Sequence, residues 1–287
     1  MKARLHPAVA VVTWLALALL YAPMLAVMVF SVNNTKTGFV WRGFTTRWYT
    51  QLVSGPEMLQ GAENVVLSAA LNTLILAVAS TLVSTVLGTM LAIGMARTPW
   101  PRWFRRYLDF SVFLPVVTPD IVFGAAAVVV FGLLRASCGL FDRWFAPGLV
   151  PMIIAHVTFQ ISFVALVVGS RLRSIPPSLQ EAARDLYAGS LGVLLRVLLP
   201  LLGPGIVAGA MLAFTLSLDD FVISFFTAGP ESTTLPILIY GQVRRGVSPE
   251  IHALSTIIFL TTFVLVVAME RFTRHRKDDS HEKEKLA

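Results

Sequence analysis

Charge and cysteine are scarce in this chain. Only 14% of its 287 residues are Asp, Glu, Lys or Arg, against about 25% in an average soluble domain. That is too little charge to coat the soluble domains a chain of this length would form, which excludes an ordinary soluble enzyme. Its single cysteine, Cys138, has no partner in the chain and no neighbouring metal ligands. A disulfide scaffold and a cysteine-based metal centre are therefore excluded, and no metal site is expected. There is no G-x-x-x-x-G-K-[ST] loop, so the chain is not expected to bind or hydrolyse ATP itself. A disordered chain is excluded by what is present instead: 56% hydrophobic residues and a mean hydropathy of +0.74.

The apolar residues fall into runs long enough to cross a hydrocarbon core of about 30 Å, which takes roughly 20 helical residues. Six are found, over Pro7–Val32, Ser68–Ala96, Leu108–Leu134, Val150–Ser170, Leu199–Phe226 and Ile251–Met269. They do not alternate polar with apolar as barrel strands do, so helices are the predicted spanning structure. The first run follows Lys2 and Arg4, but its apolar stretch exceeds the core of a signal peptide. A cut after Ala22 would face Pro23 and leave membrane sequence behind, so this run is read as an uncleaved first helix. Leu235–Val243 is apolar but too short to span, and reads as an interfacial or partly inserted helix.

The net charge of +7 comes from 23 basic residues, all outside the six runs. Sixteen lie on one set of alternating sides: Lys2 and Arg4, the Arg97–Arg106 and Arg171–Arg196 loops, and the tail from Arg271. Seven lie on the other. The positive-inside rule assigns the richer set, with both termini, to the cytoplasm. The mixed-charge tail Arg271–Ala287 reads as a solvated end, and no nucleic-acid partner is expected. The long outer loop Asn33–Val65 carries Trp41, Phe44, Trp48 and Tyr49, residues suited to a membrane interface.

Helices in a bilayer associate where small residues let backbones approach. The second run offers Ser80, Ser84, Gly88 and Ala92 at four-residue spacing, and the fifth offers Gly205, Gly209 and Ala213. In the third run Pro115 and Pro119 should kink or break the helix. Three acids stand out in these runs: Asp120, Asp219 and Asp220. A charge at a helix centre costs about 2.5–3.5 kcal/mol on insertion scales, and such residues usually mark a substrate or ion path. The adjacent pair shares the face of the Gly205 stripe and so points into the bundle. The plainer reading has Asp120 capping a half-helix and one of the pair reaching to the interface. His156 reads as a hydrogen-bonded packing residue with Gln160, one turn on, as its partner. Asp109 and Glu270 sit at membrane edges, where a solvated role suffices.

Between the fourth and fifth runs the chain reads IPPSLQEAARDLYAGSLGVLLRVLLP from Ile175 to Pro200. Ser178 with Glu181 fits a capping box, and Gly189 fits a left-handed helix end, so a short helix of about ten residues is predicted. Glu181-Ala182-Ala183, Asp185-Leu186 and Val197-Leu198-Leu199-Pro200 resemble the EAA motif of ABC importer permeases. The resemblance implies that Glu181, Ala182, Ala183, Arg184, Asp185 and Leu186 form the coupling helix that docks on an ATPase. Tyr187 departs from the motif, which has glycine there. Further stretches are similar to the spermidine/putrescine permeases of the second-subunit type: Trp41 to Tyr49, Thr118 to Val122, Ser217 to Val222, the Leu235-Pro236 to Ile239-Tyr240 patch, and Ser248 to Ile251.

That resemblance implies an all-α polytopic protein of the type I ABC importer permease fold, multi-pass in a bacterial inner membrane. The expected organisation is a first transmembrane helix with a periplasmic loop over 1–66, a transmembrane domain over 67–270 with its coupling loop at 171–200, and a cytoplasmic tail over 271–287. The implied partners are a second permease subunit, two ATPase subunits that carry ATP–Mg, a periplasmic polyamine-binding protein and membrane lipid. No cofactor is expected in this chain. On this reading Asp120, Asp219 and Asp220 line the path of a polyamine cation. The alternatives are an ABC permease for another small cationic or organic solute, an ion-coupled secondary transporter using the membrane acids, and a non-transporting membrane anchor.

Overall fold

The computed structural model describes residues 7–35, 40–54, 65–137, 142–245, 252–264, 267 and 271. Among these it is helical, with no strand and a single isolated bridge between Asn33 and Phe44. The chain divides into two compact units, Met1–Val65 with Ile239–Ala287, and Val66–Leu238.

In the first unit, α1 (Pro7–Phe30) is apolar on every side, and its spanning stretch buries nothing within the chain. A helix of this kind is a membrane span or a buried core helix, and this one is not buried. Asn33 organises the loop that follows. Its amide donates to the Val40 carbonyl (2.9 Å) and accepts from the Arg42 N–H (2.8 Å). Its own carbonyl accepts from the Trp48 indole (2.7 Å), on α2 (Arg47–Ser54). Gly43 takes φ +116°, a conformation open to glycine, and so brings its carbonyl to the Asn34 N–H at 2.8 Å. Of the four aromatics expected at the interface, Trp41 and Phe44 are exposed, whereas Trp48 is buried and holds the loop together.

The second unit is built from α3 (Val65–Arg97), α4 (Arg102–Val117), α5 (Asp120–Ser137), α6 (Asp142–Phe145), α7 (Leu149–Arg173), α8 (Ser178–Asp185), α9 (Ser190–Leu218) and α10 (Val222–Thr227). A further helix, α11 (Leu235–Arg245), begins in it. Helix α7 is the centre, with half of its spanning stretch buried. The small-residue faces meet it. Ser80, Ser84, Gly88 and Ala92 of α3 are all buried, as are Gly205, Gly209 and Ala213 of α9. A Cβ at Gly88 would stand 2.7 Å from the Val164 Cβ, and one at Gly205 would stand 2.7 Å from the Arg171 Cβ. Only glycine admits these approaches.

Helices α1, α3, α5, α7 and α9 are long and apolar enough to cross a membrane. The sixth run is described as an apolar helix, α12, over His252–Val264. The third run is not one helix. Thr118 is extended (φ −76°, ψ 129°) because a residue before proline is pushed out of the helical region, and α5 restarts after Pro119. Pro115 stays inside α4 without breaking it. The fifth run ends at Leu218 rather than Phe226, and α10 follows as a separate short helix. Near its start α9 widens into a π turn over Leu194–Leu198. That turn relieves Pro200, which has no N–H and whose ring would crowd the Arg196 carbonyl in a regular helix.

Candidate functional site

The breaks after Val117 and after Leu218 bring the three acids to one cavity of about 320 Å³. Asp120 is the first residue of α5, Asp219 caps the C-terminus of α9, and Asp220 precedes α10. Phe123, Phe159, Phe163 and Phe221 form its aromatic wall, and among the described residues no Lys or Arg lines it. Phe159 stands edge-on to Phe123 (6.1 Å, 77°) and to Phe163 (6.2 Å, 89°), which fixes the rings.

The acids are not equivalent. Asp220 is committed to the protein. Its carboxylate accepts from the backbone N–H groups of Ile223 (3.2 Å) and Ser224 (2.8 Å) and so caps α10. One of its oxygens also lies 3.3 Å from His156 Nε2, and its side chain is only 8% exposed. His156 is fully buried, with Nδ1 2.8 Å from the Ser217 hydroxyl and Nε2 3.1 Å from the Ser224 hydroxyl. Ser217 continues to Ser80 of α3 at 3.2 Å. In the tautomer protonated at Nε2, Nε2–H is shared between Asp220 and the Ser224 hydroxyl, and Ser217 donates to Nδ1.

Gln160 is not the partner of His156. It accepts from Ser84 (3.1 Å) and donates to the Ala213 carbonyl (3.1 Å), pinning α3 and α9 to α7 one turn further on.

Asp219 and Asp120 are exposed to the cavity. Asp219 adds its charge to the negative end of the α9 dipole, the end at which a cation is favoured. Asp120 sits at the positive end of α5, where its charge is partly offset. The Val122 and Phe123 N–H groups bond to the Pro119 carbonyl (2.9 and 3.2 Å), so the Asp120 carboxylate is not their cap. The cavity thus presents two open carboxylates, one anchored carboxylate and aromatic faces. These groups attract a desolvated ammonium through charge and through the ring quadrupole, the latter contributing about 0.5–2 kcal/mol.

Glu181, Ala182, Ala183, Arg184 and Asp185 lie on α8, none of them buried, and Leu186 caps its end. The capping box does not form. Ser178 is already inside the helix, whereas a capping residue needs a non-helical backbone. The Gln180 and Glu181 N–H groups bond to the Pro177 carbonyl instead (2.9 and 3.2 Å). With the Gln180 amide assigned so that its oxygen faces the Arg97 guanidinium, as the hydrogen bonding requires, the pair ties α8 to the end of α3. Gly189 is not the left-handed residue: it is extended (φ −65°, ψ 162°), and Tyr187 takes φ +59°. The Tyr187 N–H bonds to the Arg184 carbonyl (2.9 Å) and the Ala188 N–H to the Ala183 carbonyl (3.0 Å), which is the Schellman pattern. A non-glycine residue held there costs of order 1–2 kcal/mol.

Sequence reasoning did not single out the phenylalanine wall, although Phe159 and Phe163 stand at i, i+4 on one face. It also missed Ser217 and Ser224, the hydroxyls that hold His156.

Residues 84–276 match the model of the family described as binding-protein-dependent transport system inner membrane component. The putrescine transport system permease protein PotI of Escherichia coli (strain K12) is 37% identical over 279 residues, 94% of this chain and 93% of its own length. The spermidine/putrescine transport system permease protein PotC of the same strain is 34% identical over 259 residues, 90% of this chain and 91% of its own. Among solved structures, a bacterial ABC transporter involved in import of the acidic polysaccharide alginate aligns with a TM-score of 0.72 at 18% identity, over 93% of this chain and 94% of that one. That likeness shows a shared fold.

Proposed function

The chain belongs to the family of inner membrane components of binding-protein-dependent transport systems, and on that premise we propose that it is a permease subunit of an ATP-driven polyamine importer. It forms half of the translocation path, with a second permease subunit as the other half. A periplasmic polyamine-binding protein delivers the substrate, and two ATPase subunits, which carry ATP–Mg, drive the cycle. The observation that carries the substrate class is the cavity with Asp120, Asp219 and Asp220 on one aromatic wall. Its volume is at the small end of the roughly 300–1,000 Å³ typical of ligand sites. The names of the relatives, for putrescine and for spermidine, support the same class.

The coupling residues are Glu181, Ala182, Ala183, Arg184, Asp185 and Leu186, on the loop 171–200. The chain crosses a bacterial inner membrane six times, the sixth time over Ile251–Met269, with both termini in the cytoplasm. Residues 1–66 add a first span and periplasmic loop to the transmembrane domain of 67–270, and 271–287 form a cytoplasmic tail. ATPase closure moves α8, and the bundle turns the cavity from one side to the other. Substrate drives that change only through unequal affinity for the two states.

The test is uptake of labelled putrescine and spermidine by proteoliposomes containing the complete complex with ATP inside. ATP-dependent accumulation, competed by unlabelled polyamine, is expected. Accumulation of another solute and of no polyamine refutes the substrate class. Gradient-driven uptake by this chain alone refutes the ATP coupling.

A further inference from the structure

At the tip of the coupling loop, Tyr187 combines two features that oppose each other within the chain. Among the described residues it is the one non-glycine residue with positive φ, at +59°. It is also 98% exposed, so its ring gains nothing from the chain that strains its backbone. The Schellman bonds at Arg184 and Ala183 fix this backbone, so the ring is aimed outward by hydrogen-bonded structure. Leu186 beside it is 82% exposed, and Leu191 is exposed four residues on. All three are exposed side chains with apolar surface at or just beyond the end of α8. Strain of this kind persists where another requirement holds it, and exposed aromatic residues in a fixed pose are the usual anchors of protein interfaces.

We propose that Tyr187 is the anchor by which this chain selects and seats its ATPase subunit, its ring entering an apolar pocket of that subunit beside Leu186. The proposal rests on the reading of α8 as the coupling helix and adds a residue to it. A glycine at 187 would serve the backbone better, so the tyrosine is explained by what lies outside the chain. The pocket it fits has apolar walls and a polar floor for the phenol hydroxyl.

The experiment compares Tyr187→Gly, Tyr187→Phe and Glu181→Lys in the permease pair, in nanodiscs and in detergent, by titration with the ATPase subunit and by substrate-stimulated ATP hydrolysis. Tyr187→Gly is expected to leave the melting temperature unchanged or raise it, yet weaken ATPase binding about tenfold or more. Tyr187→Phe is expected to retain most of the affinity, and the loss in Tyr187→Gly should be equal in nanodiscs and detergent. Parental affinity in Tyr187→Gly together with loss in Glu181→Lys overturns the anchor while the coupling helix stands. Parental affinity in both overturns the coupling reading as well. A loss confined to nanodiscs places the ring in the lipid headgroups and also overturns the anchor.

Discussion

Replacing each of the adjacent aspartates by asparagine separates their roles. In Asp220→Asn the side-chain oxygen keeps one acceptor, but the amide nitrogen replaces the other. That nitrogen faces either the Ile223 N–H, now 3.2 Å from one carboxylate oxygen, or both the Ser224 N–H and His156 Nε2–H, now 2.8 and 3.3 Å from the other. At least one buried donor is then left unpaired, at about 1–3 kcal/mol. Weakening the cap of α10 adds about 0.5–2 kcal/mol. The relief from no longer burying a charge offsets little, because three donors already surround the carboxylate. The expected destabilisation is about 2–4 kcal/mol, and at about 2–4 °C per kcal/mol the melting temperature falls by about 4 °C or more. Asp219 is exposed and its carboxylate holds no helix N-terminus, so Asp219→Asn should melt with the parent while uptake per assembled complex falls. The assays are a thermal melt of the purified complex, followed by size exclusion, and polyamine uptake normalised to assembled complex. Equal melting of Asp220→Asn and the parent would refute the anchoring role. Parental uptake by Asp219→Asn would remove that residue from the path.

Gly88→Ala should melt below Gly94→Ala on the same helix. Both gain about 1 kcal/mol of helix propensity, but a Cβ at Gly94 meets nothing within 4 Å. At Gly88 it meets Val164 at 2.7 Å and the Ile161 carbonyl at 2.9 Å, overpacking that costs about 1–3 kcal/mol. Equal melting temperatures would dispose of the close approach. Glu181→Lys should fold normally, since Glu181 is exposed, and should lose the ATPase in pull-down; unchanged co-purification and stimulated hydrolysis would end its coupling role. With Cys138 replaced by serine, a single cysteine placed at Trp103 should react with an impermeant maleimide only from the cytoplasmic side. Labelling from the periplasm inverts the topology.

What the sequence revealed was local and periodic. The four-residue spacing of Ser80, Ser84, Gly88 and Ala92 needs no knowledge of the partner helix, and all four are buried. The break at Thr118-Pro119 follows from the geometry of two adjacent residues. The three acids were legible because charge in an apolar run is costly wherever it points. What failed depended on register or distance. Ser178 and Glu181 have the spacing of a capping box, but Pro177 starts the helix one residue early, so the serine is inside it. Gly189 looked like the left-handed end, yet the helix stops at Asp185, which puts the left-handed position at Tyr187. The partners of His156 lie 61 and 68 residues away, beyond any local pattern, while Gln160 on its own helix was the partner a periodic reading suggests.

The same helix face that packs the second unit also sets the cavity. Ser217 lies one turn beyond Ala213 on the small-residue stripe of α9, and it is buried against α3 and α7 through Ser80 and His156. His156 in turn holds Asp220 at the cavity edge. The Ser217–His156 contact is 2.8 Å, and a slide of α9 along α7 by about 2 Å, at right angles to the contact, would carry it to about 3.5 Å, the edge of hydrogen-bonding range. Such a slide would remove the Ser217 hydroxyl that orients the imidazole at Nδ1, leaving Ser224 and Asp220 to hold the ring at Nε2 and loosening one of the donors on the Asp220 carboxylate. A carboxylate with fewer protein donors attracts an ammonium more strongly. On the proposed function, motion of α9 would therefore change cation affinity at Asp220 while also moving Asp219, which α9 itself carries into the cavity. That is the kind of differential interaction an alternating-access cycle requires, because a ligand held equally in both states shifts neither.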